Sequence, residues 1–109
     1  MIINRRTYYV NPGQFRPALT LMKEILKLTK EEFNQDFKIL TPIYGSFGTI
    51  VVEFEFTDTA EQDKFSAIWY PKLEEKGWIV QWFQYVQSGT NELWTDSREP
   101  EPFKETKAT

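Results

Sequence analysis

The 109 residues carry a net charge of −3, with 40% apolar and 17% aromatic residues, enough for one hydrophobic core and too few for two ordinary domains. Acidic and basic side chains are interspersed, so no basic stripe follows a phosphate backbone, and nucleic acid is excluded as an expected partner. The chain has no cysteine and no histidine, which removes thiolate nucleophiles, disulfides, zinc sites of the usual kind and the imidazole general base.

Residues 2–10, IINRRTYYV, are rich in β-branched and aromatic types and stop at Asn11-Pro12-Gly13, which predicts a first strand closed by a turn. The segment lacks the long apolar core of a secretory leader, and no window approaches ~18 uninterrupted apolar residues. A soluble, cytoplasmic protein with no membrane partner is the expectation. Phe15, Ala18, Leu19, Met22, Ile25, Leu26 and Phe33 then recur at three- and four-residue steps, predicting an amphipathic helix with Pro17 in its first turn and a lysine-rich, solvated far face.

Phe37 to Tyr44 reads as a second strand, interrupted by Pro42, which cannot donate to a ladder and so marks an edge or a bulge. Gly45-Ser46-Phe47-Gly48 turns the chain into TIVVEFEF, Thr49 to Phe56. Alternation divides this third strand. Ile50, Val52, Phe54 and Phe56 face the helices, while Val51, Glu53, Glu55 and Thr57 lie on the open side. Thr59 and Gln62 stand at capping-box spacing ahead of a second helix through Phe65, Ile68, Trp69 and Leu73, which Pro71 should kink or end.

The segment 77–87, GWIVQWFQYVQ, fits a short mixed-face strand or a helix with a polar line at Gln81, Gln84 and Ser88; the helix is the reading adopted. A turn at Ser88-Gly89 leads to a last strand over residues 90–97. The pieces make one domain over 1–97, with 98–109 a proline-containing, charged arm or disordered tail. The order β-α-β-β-α-β is α+β and ferredoxin-like, a four-stranded antiparallel sheet with helices on one face. The uncovered face and the surplus of aromatics, nine Phe, five Tyr and four Trp, predict a homodimer.

The stretch Arg6-Thr7-Tyr8-Tyr9-Val10-Asn11-Pro12-Gly13 resembles the R-x-Y-x-x-x-P-G opening of NIPSNAP-like proteins, of the dimeric α+β barrel superfamily that also holds cofactor-free antibiotic-biosynthesis monooxygenases. Trp69-Tyr70-Pro71 and the closing Glu92-Leu93-Trp94 extend the likeness over nearly the whole chain. An acidic residue that often precedes R-x-Y is Asn4 here. The resemblance implies a two-subunit barrel whose open sheet faces line a shared or paired cavity. An aromatic-rich domain with Arg and Glu on that open face is expected to bind a small aromatic or apolar molecule, with no metal and no cofactor. The resemblance implies no particular reaction, and a cofactor-independent monooxygenase or isomerase stands beside a non-enzymatic dimerisation module filled by its own side chains.

Candidate ligand-binding residues are Arg6, Tyr8, Glu53 and Glu55, expected to converge on the open face, together with Trp94. With strands one and three adjacent at the sheet centre, Arg5 or Arg6 lies across from Glu53 or Glu55 according to register. The same cluster also reads as a structural ion-pair ladder on a wet face, and the tryptophans as core or dimer contacts.

Overall fold

Two-residue alternation organises the first strand, β1 (Ile2–Val10), in which Ile2, Asn4, Arg6 and Val10 are buried and the residues between them less so. In the computed structural model of this chain, which describes residues 1–98, there follow α1 (Phe15–Phe33), β2 (Phe37–Leu40), β3 (Thr49–Phe56), α2 (Thr59–Glu75), α3 (Trp78–Tyr85) and β4 (Val86–Thr95). All three strand pairings are antiparallel, in the order β2-β3-β1-β4. This is the ferredoxin-like α+β arrangement, with β1 and β3 in the centre. The arm expected at 98–109 lies, from residue 99 on, outside the described residues.

The helices cover one face of the sheet. Ile50, Val52, Phe54 and Phe56 are all buried there against the α1 stripe of Ala18, Leu21, Met22, Ile25 and Leu26. Phe33, Phe54, Phe56, Phe65 and Trp69 form one interlocking set of rings, so much of the aromatic content is absorbed by the core. Among the described residues no helix is long and apolar enough to cross a membrane.

Several local expectations are corrected. The strand expected to run to Tyr44 ends at Leu40, ahead of Thr41-Pro42, because proline has no N–H for the ladder; β2 is nonetheless an edge strand. Asp58, rather than Thr59, caps α2: its carboxylate accepts from the Glu61 amide at 2.9 Å, and Glu61 Oε1 accepts from the Thr57 amide at 2.6 Å. Pro71 does not end α2, which continues to Glu75. Pro71 and Ala67 are both solvent-exposed, so water can take the carbonyl that the missing N–H leaves free.

The helix reading of 77–87 holds for Trp78–Tyr85, but no turn follows at Ser88-Gly89. The chain passes from α3 directly into β4, which begins at Val86. Tyr9 pairs with Ser88 and Val10 with Val86, so Gln87 is the extra residue of a bulge. Gly89 belongs inside the strand opposite Tyr8, where an added Cβ would sit 2.9 Å from Tyr8 Cδ1 and 3.0 Å from the Thr7 carbonyl oxygen. Its lack of a side chain makes room for the tyrosine ring and does not serve a reversal.

Candidate functional site

The alternation that buries the β3 apolar set also decides where the β1 side chains go. Arg6 stands opposite Val52 and Tyr8 opposite Ile50, so both project toward the helices. Arg5 stands opposite Glu53 and Ile3 opposite Glu55, on the other face. The expectation that Arg6 and Tyr8 converge with Glu53 and Glu55 on the open face is therefore corrected, because side chains one residue apart on a strand point to opposite faces.

On the open face Arg5 Nε donates to Glu53 Oε2 at 2.7 Å, and Trp94, opposite Ile3, lies with the Arg5 guanidinium 5.7 Å from its ring centroid. The Arg5 side chain is 44% exposed, so this pair contributes on the order of 0–1 kcal/mol. Glu55 is exposed and forms no ion pair among the described residues. Arg5, rather than Arg6, is the neighbour that neutralises a glutamate here.

Arg6 and Tyr8 instead border a pocket of about 280 Å³ between the sheet and the helices. Its walls are Met22 and Ile25 from α1, Trp69, Tyr70 and Leu73 from α2, and Trp78, Ile79, Trp82 and Phe83 from α3. Residues 87–91 of β4 form the remaining side and are exposed, so the pocket meets water there. Tyr8 and Trp82 pack edge to face, with ring centroids 5.0 Å apart.

Polar groups on three elements meet in this wall. The Asn4 side chain, fully buried, accepts from Arg6 Nε at 2.9 Å through Oδ1, and its Nδ2 donates to Asn91 Oδ1 at 2.5 Å and to the Glu92 carbonyl at 3.1 Å. A terminal nitrogen of Arg6 donates to the Tyr70 hydroxyl. The guanidinium lies 5.2 Å from the ring centroids of both Trp69 and Tyr70 and 6.0 Å from that of Phe54. Burial pushes the Tyr8 phenol above its ordinary pKa of 10.0, an effect the adjacent Arg6 charge opposes, so Tyr8 is a neutral hydroxyl at neutral pH.

Of the five candidates read from sequence, the structure brings Arg6 and Tyr8 together and leaves Glu53, Glu55 and Trp94 on the opposite side of the sheet. Asn4, Tyr70 and Asn91 were missed. A signal for Asn4 was present, since Ile2, Asn4, Arg6, Tyr8 and Val10 share one face by period two and a lone amide there needs partners. Nothing local pointed to Tyr70 or Asn91, which reach the site only through tertiary packing.

Fold and pocket together define a ferredoxin-like α+β protein with a ligand-sized space beneath its helices. Within that class the fold is NIPSNAP-like, as the R-x-Y-x-x-x-P-G stretch implied. It is similar to an uncharacterized NIPSNAP domain protein from Burkholderia xenovorans, with a TM-score of 0.75 and 13% identity, covering 97% of this chain and 100% of that one. A NIPSNAP family protein from Agrobacterium tumefaciens matches with a TM-score of 0.71 and 15% identity over 94% of each chain. An antibiotic biosynthesis monooxygenase matches with a TM-score of 0.68 and 18% identity, over 88% of this chain and 98% of that one. At such identities the likeness establishes a shared fold and not a shared reaction. No protein-family model and no curated protein matches the sequence.

Proposed function

We propose that this protein binds a small, planar, largely apolar molecule in the pocket between sheet and helices, and does so as a homodimer joined through the open sheet face. The observation that carries the binding reading is the pocket: about 280 Å³, just below the roughly 300–1,000 Å³ usual for small-molecule sites, with aromatic walls and the polar groups of Arg6, Tyr8, Tyr70 and Asn91 along its border. A module filled by its own side chains has no need of such a space. Donors arranged around a ligand oxygen stabilise an oxyanion, which is the service that cofactor-independent oxygenation or isomerisation requires of a protein.

Calorimetric titration with naphthylmethanol, an uncharged planar probe, is expected to show saturable binding. The effect should vanish in Ile79→Trp, because Ile79 lines the pocket and the larger ring fills it. No saturable heat in the wild type, or full binding in the filled variant, sinks the reading.

The dimer rests on a different face. Tyr9, Leu40 and Trp94 are 41%, 46% and 50% exposed on the side of the sheet opposite the helices, apolar surface that a second subunit would cover. Sedimentation at micromolar concentration is expected to give the mass of two chains, and Trp94→Asp to shift it toward one. A wild-type monomer at that concentration ends the proposal.

A further inference from the structure

We infer that the molecule bound in this pocket carries a carboxylate-type anionic group and that Arg6 holds it, an inference that rests on the pocket being a binding site. Arg6 is only 4% exposed, and a guanidinium stays charged in any protein environment. Among the described residues its partners are neutral groups: the Asn4 side-chain oxygen, the Tyr70 hydroxyl, the Tyr8 phenol, and the rings of Trp69, Tyr70 and Phe54. Among the described residues no carboxylate lies within ion-pair distance of it. Glu53, on the neighbouring strand, faces the other way and is bonded to Arg5.

A buried charge without a counter-ion is costly, and folded proteins ordinarily pair one. A donor in the same wall is unsatisfied: Trp82 is 6% exposed, and its Nε1–H has no acceptor among the described residues. Tyr8, a neutral phenol, adds a hydroxyl that can donate. The pocket border is thus rich in donors and has a net positive charge, while its walls are aromatic. A flat apolar body with one singly charged, two-oxygen head suits both parts, since a carboxylate matches the planar guanidinium fork. A dianion such as a phosphate monoester would leave charge uncompensated in an apolar enclosure.

Asn4 supplies the sharpest test. Its Oδ1 accepts from Arg6 at 2.9 Å, so Asn4→Asp places a carboxylate of nearly the same shape against the guanidinium. That gives Arg6 an internal counter-ion and removes the need for an external one. The experiment compares calorimetric affinities for naphthoate and for naphthylmethanol, its uncharged counterpart, in the wild type, in Asn4→Asp and in Arg6→Gln, each checked for native circular dichroism.

The wild type is expected to prefer naphthoate by at least about tenfold, the scale of a hydrogen bond to a charged group. Both variants are expected to lose that preference while still binding naphthylmethanol, and if one of them fails to fold, the other decides. Equal wild-type affinities for the two probes, or a preference that survives in the folded variants, overturn this inference and leave the binding reading intact. Binding of neither probe overturns the binding reading, and this inference with it.

Discussion

Trp69→Ala is expected to lower the unfolding free energy by about 3–5 kcal/mol, the range for truncating a fully buried large aromatic. Trp69 is 3% exposed and stacks on Phe65 at a centroid separation of 5.3 Å, with Phe54 edge-on at 5.5 Å and the Arg6 guanidinium at 5.2 Å. Its indole Nε1 donates to Thr29 Oγ1 at 2.8 Å, and the Thr29 hydroxyl donates in turn to the Ile25 carbonyl at 2.7 Å. The side chain therefore ties α2 to α1 by a buried hydrogen bond while forming part of the pocket wall. Domains are typically stable by only ~5–15 kcal/mol, so the loss is a large share of the total. Denaturant unfolding of Trp69→Ala and Trp69→Phe grades the effect: the phenylalanine variant keeps one ring in the cluster, and its smaller loss combines the bond to Thr29 with the volume of the missing second ring. A loss under about 1 kcal/mol in the alanine variant would show that the residue is not the anchor described.

Gly89→Ala is expected to cost about 1–3 kcal/mol, opposite in sign to the usual gain of roughly 0.5–1 kcal/mol when alanine replaces an interior glycine of a strand. The reason is steric. The new methyl carbon would lie 2.9 Å from Tyr8 Cδ1, closer than such carbons approach their neighbours, and 3.0 Å from the Thr7 carbonyl oxygen, tighter than most such contacts. Tyr8 cannot simply turn aside, because its ring packs against Trp82 with centroids 5.0 Å apart. In a Tyr8→Ala background the penalty should shrink, since the nearest obstructing atom is gone; the interaction energy from the double-mutant cycle in denaturant melts is the decisive number. Additive effects of the two substitutions would rule out the clash as the cause.

Glycine at position 89 shows how local reading went astray. Ser-Gly between two aromatic-rich segments has the composition of a turn, and composition carries no information about a ring lying across the strand from the neighbouring chain segment. Pro71, expected to kink or end α2, does not end it. Its cost to a helix is real, yet Ala67 is exposed, so its carbonyl is open to water, and the surrounding core contacts of Trp69 and Leu73 hold the helix together. The boundaries of β2, α2 and β4 each moved for reasons of this kind, while the elements themselves and their order did not.

The surplus of aromatics had a double meaning that only packing resolved. Phe33, Phe54, Phe56, Phe65 and Trp69 turned inward as one cluster, whereas Phe47, Phe83 and Trp94 stayed exposed. Counting rings could predict that some apolar surface would remain outside the core, but not which residues would carry it.

By itself the sequence determined the element order, the one-sided helix cover and the inward face of β3, because these follow from periodicities of 2 and about 3.6 that each segment carries locally. Tertiary structure alone decided which arginine meets Glu53. A strand flips every side chain when its register moves by one residue, and the register is set by pairing across 48 positions of chain, from Arg5 to Glu53. The same pairing turned Arg6 inward, beside an asparagine, and bonded that asparagine to Asn91, 87 residues away. An arginine buried with no carboxylate beside it among the described residues is a property of those long-range contacts and of no segment taken alone.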